Sequence, residues 1–175
     1  MNKKLLSLSV AALVLASTNA NAFYIGAGAG SSKVKSEGAT LDGKASFVVS
    51  TGMSIPLPLI PIRGEVELMN LEAKEDNTKG KIYGAAANAY IGLPLLPIIK
   101  PYIGMGLSYT QLKISGSGIS DKSDWKVAPQ YMLGLDLSLP LIPVAGGVEY
   151  RYMDTKYDDT KVKSHTVMVK GRFTF

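Results

Sequence analysis

The chain has 175 residues, one histidine, no cysteine and a formal charge of +5, with apolar and charged residues mixed throughout. This length predicts a single domain. The lack of cysteine rules out disulfides and thiolate metal sites, and a single histidine rules out a histidine metal cluster.

The first residues, Met1-Asn2-Lys3-Lys4, are basic. Leu5 to Ala16 are mostly apolar, and Ala20-Asn21-Ala22 is a small-residue cleavage pattern. Together they predict a secretory signal peptide over 1–22 and a mature domain over 23–175. The apolar stretch is shorter than the ~20 residues that a membrane helix needs. Cleavage removes Lys3 and Lys4, leaving 17 basic against 14 acidic residues, a charge of +3. That charge is too small to suggest nucleic acid as a partner. Proline, glycine or a charge interrupts every later apolar run. A membrane-embedded mature chain would therefore have to be a closed barrel, because lipid leaves no open backbone group satisfied.

From Phe23 onward the chain alternates with a period of two, the mark of strands with unlike faces. Strand one, Phe23 to Ser32, sets Phe23, Ile25, Ala27 and Ala29 against Gly26, Gly28 and Gly30. The glycine run lacks the helix and acidic partner of a nucleotide loop, so it predicts small residues facing a crowded interior. Strand two alternates Phe47, Val49 and Met53 with Ser46, Ser50 and Ser54, and strand three alternates Ile62, Val66 and Leu68 with Arg63, Glu65 and Glu67. Strand four runs through Tyr83 and Ile91, and strand five through Ile103, Leu107 and Tyr109. Strand six, Trp125 to Leu139, is the most regular, with Pro129 as an expected bulge. Strand seven carries Val148 and Tyr150 against Glu149 and Arg151; strand eight sets Val169, Phe173 and Phe175 against Lys170 and Arg172.

Two kinds of connection alternate between these strands. Three are short and apolar, bracketed by Pro56 and Pro61, Pro94 and Pro97, and Pro140 and Pro143. Proline cannot donate to a ladder, so each pair marks a tight reversal. Four are polar and expected to be long loops, at about Lys33–Lys44, Glu72–Lys81, Lys113–Asp124 and Asp154–Lys163. Eight strands of about ten residues, with long and short connections alternating, predict an all-β, antiparallel, up-and-down transmembrane barrel of eight strands.

The distribution of charge assigns the faces. Arg63, Glu65, Glu67, Lys126, Asp136, Glu149, Arg151, Lys170 and Arg172 all lie opposite the apolar stripe. An eight-stranded interior is just wide enough for side chains, so residues of both signs are expected to pair there as a lumen charge network. The apolar face carries aromatic residues near strand ends, among them Phe23, Tyr83, Tyr109, Trp125, Tyr150 and Tyr152, as a membrane barrel's two interfacial girdles would. A soluble, lipocalin-like barrel with an apolar pocket is the alternative, but the Leu-rich stripes would overfill so small an interior.

The signal peptide, the eight strands and the ending Val169-Lys170-Gly171-Arg172-Phe173-Thr174-Phe175 resemble the OmpA/OmpX-like group of small outer-membrane barrels of Gram-negative bacteria. The resemblance implies an outer-membrane location, surrounding lipid as a partner, and Phe173 and Phe175 as a signal read by the barrel-assembly machinery. The glycine often found five residues before the terminal Phe is Lys170 here, with Gly171 next. The function expected is non-enzymatic: envelope structure, and contact with a host or surface ligand through four polar extracellular loops. The lumen is expected to be largely plugged and no cofactor is expected. One alternative is a narrow channel for ions or small solutes. The other is a lipid-modifying enzyme, for which Ser164 and His165 are the only nucleophile–imidazole neighbours. Adjacent strand residues point to opposite faces, which argues against proton transfer between them.

Overall fold

A computed structural model describes residues 22–36, 39–43, 45–55, 60–75, 78–93, 98–116, 119–122, 125–138, 142–157 and 160–175. It contains ten strand segments: β1 (Ala22–Ser36), β2 (Ala39–Gly43), β3 (Ala45–Ile55), β4 (Ile62–Glu75), β5 (Thr78–Gly92), β6 (Ile99–Gly116), β7 (Ile119–Lys122), β8 (Lys126–Ser138), β9 (Val144–Tyr157) and β10 (Thr160–Thr174). β2 and β3 both pair with β1 and β4, so they are two parts of one barrel strand. β7 and β8 both pair with β6 and form another. Eight antiparallel barrel strands result. β1 pairs with β10 from Tyr24↔Thr174 to Ser36↔Val162, which closes the sheet into a barrel. This is the up-and-down barrel that the alternation predicts. The predicted signal peptide lies outside the described residues except for Ala22, the first residue of β1.

The strands are longer than expected, because the four polar stretches are not long loops. The ladder continues through them to Ser36↔Ala39, Glu75↔Thr78, Gly116↔Ile119 and Tyr157↔Thr160. Only two residues separate the partners at each tip. Glu37-Gly38, Asp76-Asn77, Ser117-Gly118 and Asp158-Asp159 are residue types that suit two-residue hairpins. The opposite rim carries the proline turns, whose centres (56–59, 94–97 and 139–141) lie outside the described residues. Their flanks are tied to neighbouring strands: Gly92 N–H donates to Pro61 O at 2.9 Å, and Thr174 N–H donates to Pro143 O at 2.8 Å.

Pro129 makes no bulge. It stays in register opposite Leu107, while pairing of β8 with β9 begins one residue later at Gln130. Its missing N–H therefore falls where one flank of the strand has no ladder to lose.

Three inward tyrosines each face a glycine across the ladder: Tyr24↔Gly52, Tyr90↔Gly104 and Tyr102↔Gly134. At Gly104 an added Cβ would come within 2.5 Å of Tyr90 Cδ1, and at Gly134 it would overlap the Tyr102 ring. These glycines therefore make room for rings that fill the barrel.

Candidate functional site

The barrel interior has two sections of different chemistry. The section toward the proline turns is polar. Arg63 Nη1 and Arg172 Nη1 donate to the same oxygen of Asp136, at 2.8 and 2.7 Å. The guanidinium of Arg63 also lies 4.3 Å from the Tyr90 ring centre and 4.9 Å from that of Tyr102, close enough for cation–π attraction.

Further in, Lys170 Nζ reaches Glu65 at 2.8 Å, Glu149 at 3.5 Å and Glu67 at 3.8 Å. Arg151 binds Glu67 through both terminal nitrogens, and its Nη2 lies 2.6 Å from Glu149 Oε1. Tyrosine hydroxyls donate to these carboxylates as well: Tyr24 to Glu65 at 2.9 Å, Tyr90 to Glu65 at 3.1 Å and Tyr102 to Glu149 at 3.0 Å. Four carboxylates (Glu65, Glu67, Asp136, Glu149) thus face four cations (Arg63, Arg151, Lys170, Arg172). The side chains of Arg151, Glu67 and Glu149 are at most 1% exposed. Opposite charges in contact and charge-assisted hydrogen bonds offset the desolvation that such burial costs. Lys126 shares this face but sits apart from the cluster, opposite Thr110.

The section toward the hairpin tips lacks the members of that charge cluster and mixes apolar with uncharged polar side chains. Val34, Val48, Met69, Leu71, Ile82, Ala86, Leu112, Ala128, Met153, Val162 and Met168 form one buried cluster. Gln130 Nε2 donates to Asn88 Oδ1, and Ser32 joins Ser46 and Thr166 through hydroxyls at 2.6 and 2.7 Å, inside the same wall. The sequence reading missed this core because Val34, Leu71, Ile82, Leu112 and Val162 lie in or at the edge of stretches rich in charge. The signal was present all the same, since all five keep the inward parity of their strands.

The outer surface is the converse. Toward the proline turns it is an apolar band, with Leu133 57%, Leu107 61% and Val169 64% exposed. Aromatic clusters cap it on two sides: Trp125 stacks on Tyr109 at 4.9 Å and meets Tyr83 edge-on at 5.6 Å, and Tyr150 donates to or accepts from His165 Nδ1 at 2.7 Å. Beyond the aromatics the outward residues are mainly lysines. His165 is therefore an outward residue, whereas the neighbouring Ser164 is buried in the wall. No proton can pass directly between them. Phe173 and Phe175 lie outward at the end of β10, ring centres 6.4 Å apart, and Phe175 N–H donates to Phe23 O at 2.8 Å. No group of three or more His, Cys, Asp or Glu is arranged to hold a metal among the described residues.

Comparison with known proteins agrees with this geometry. The family described as "Outer membrane protein beta-barrel domain" matches residues 5–173. No curated protein sequence matches the chain at a significant level. Among solved structures, Neisserial surface protein A is 22% identical with a TM-score of 0.72, covering 87% of this chain and 97% of that one. Ail, the attachment invasion locus protein of Yersinia pestis, is 20% identical with a TM-score of 0.60, covering 89% and 100%. OprG of Pseudomonas aeruginosa is 13% identical with a TM-score of 0.52, covering 89% and 96%. At these identities the structures show a shared fold.

Proposed function

The chain belongs to the outer membrane β-barrel protein family, and from that premise we propose that it is a closed, non-enzymatic barrel whose contacts with partners are made by its outer rim. Its location is the bacterial outer membrane. The observation that carries the closed reading is the eight-membered charge cluster: every charge in it meets an opposite charge inside the wall. A conducting path would need those groups to face water instead. The packed section stacked on the cluster, where buried methionine, leucine, isoleucine and valine side chains fill the interior, adds a second obstruction.

The test is a planar bilayer containing the mature chain, with a boiled-versus-unboiled gel shift as folding control. Folded protein without stepwise conductance is expected. Discrete steps from folded protein would replace this reading with that of a narrow ion or solute channel.

Contact with partners rests on the hairpins, the parts of the barrel that extend past the aromatic clusters. A structure of Ail in complex with the heparin analogue sucrose octasulfate provides a precedent for ligand binding on this fold. Absence of enzymatic activity is supported by the separation of Ser164 and His165 on opposite faces of β10.

We also propose that residues 1–22 are removed on export and that Phe173 and Phe175 form the assembly signal. In Gram-negative cells expressing the full chain, the outer-membrane fraction should yield a protein whose mass begins at Phe23, with the acyl pattern of the lipid unchanged. Deleting Phe175 should remove most of that protein from the fraction while leaving refolding in detergent intact. Undiminished assembly of the deletion variant would sink the signal.

A further inference from the structure

We propose that the mouth of the lumen, at the proline-turn end, binds one small monovalent anion such as chloride. A cavity of about 10 Å³ lies there, and Gly26, Ser50, Arg63, Asp136, Lys170 and Arg172 are among the residues that line it. Two of them carry a buried polar atom without a hydrogen-bond partner among the described residues, Ser50 Oγ and Arg63 Nε. Ser50 is 5% exposed and Arg63 9%. A buried donor left unmatched is costly, and an arginine Nε–H can only donate. An acceptor in the cavity that both residues line would serve both. Gly26 makes the room for it. This glycine pairs with Ser50 on one side and Arg172 on the other, and a Cβ there would stand 2.8 Å from Ser50 Oγ.

Charge selects an anion. Arg63, Lys170 and Arg172 line the cavity together with Glu65 and Asp136, three cations against two carboxylates. Deeper in the lumen the balance reverses, since Arg151 there lies between Glu67 and Glu149. The cluster is neutral as a whole, and its positive surplus sits at the mouth, where two guanidiniums share one oxygen of Asp136. Water suits the cavity less well, because it needs acceptors for its own two hydrogens. Three of the four carboxylate oxygens are already engaged: Glu65 Oε1 by Lys170 and Tyr90, Glu65 Oε2 by Tyr24, and Asp136 Oδ2 by both arginines. A halide only accepts. The volume is on the scale of the ~10–15 Å³ that a single water needs, which excludes phosphate or sulfate. Arg172, whose side chain is 20% exposed, bounds the cavity toward solvent, where it can yield to an ion larger than water. Occupancy of the mouth requires neither a closed nor a conducting lumen, so the planar-bilayer result leaves it standing.

The test refolds the mature chain in detergent and follows urea unfolding through Trp125 as chloride replaces gluconate at constant ionic strength. Gluconate is too large for the cavity. A ligand held by the folded state alone raises stability with the logarithm of its concentration, so the urea midpoint should climb with chloride and likewise with bromide. Crystals grown in bromide should show an anomalous peak within hydrogen-bond reach of Ser50 Oγ and Arg63 Nε. S50A removes one hydrogen bond to a charged ligand and should weaken chloride binding roughly tenfold or more. G26A should abolish the chloride effect by filling the cavity, with every charge left in place. A midpoint indifferent to the anion, or a chloride effect of the same size in S50A, overturns the proposal. So does a site in the bromide crystals that holds a water and no bromide. Should G26A fail the gel-shift control, S50A and the bromide peak decide.

Discussion

Replacing Arg151 with methionine should cost the barrel about 3–5 kcal/mol, the range for removing one partner from a buried ion pair. Arg151 is the most enclosed cation of the lumen, and its guanidinium bridges Glu67 and Glu149. Methionine fills part of the space but leaves the Glu67 and Glu149 carboxylates facing each other with Lys170 as the remaining cation beside them. That ammonium already engages Glu65 at 2.8 Å, so it can neutralise only part of the excess. Urea unfolding in detergent, followed through Trp125, the only tryptophan, would read the change. The R151M/E67Q variant should regain much of the loss, because it restores equal numbers of each sign. A cost below about 1 kcal/mol for R151M, the scale of an exposed pair, would mean that water reaches the cluster.

This cluster was legible in the sequence because it obeys one rule throughout. Arg63, Glu65 and Glu67 alternate with Ile62, Gly64 and Val66, and Glu149 and Arg151 alternate with Val148 and Tyr150. Parity alone puts them on one side of the wall. Which charge meets which was not legible, since the pairs join positions as far apart as Lys170 and Glu65. Barrel closure sets those distances, and no local pattern encodes it. Nor could parity tell a proline inside a ladder from a bulge. At Pro129 the deciding fact is that the neighbouring strand has not yet begun to pair.

The rim was misread for a different reason. Charge-rich stretches such as Leu71-Glu72-Ala73-Lys74-Glu75 suggest loops, because in the membrane section charge belongs inside and apolar groups outside. Past the aromatic clusters the solvent changes from lipid to water, and the faces exchange roles. Lysines turn outward, and Leu71 and Ile82 turn inward. Period-two alternation persists across the boundary while its meaning inverts. Asp76-Asn77 and Ser117-Gly118, residue types that suit hairpins, were the clue that these stretches are strands whose ladders continue to Glu75↔Thr78 and Gly116↔Ile119.

The inversion makes Leu71→Ala a decisive substitution. Leu71 and Ile82 are each 1% exposed and lie directly opposite each other in the ladder. Truncating a buried leucine removes its transfer free energy and leaves a cavity, so a loss of about 2–5 kcal/mol is expected. Leu68, three residues earlier on β4, is 66% exposed on the outer face. There an acyl chain can close over the missing atoms, and Leu68→Ala should cost well under half as much. Both variants can be measured by urea unfolding in lipid vesicles. If Leu71→Ala costs no more than Leu68→Ala, the hairpins hold no packed core. If the difference is as expected, the barrel carries a packed core beneath its water-facing rim, stacked directly on a lipid-facing wall.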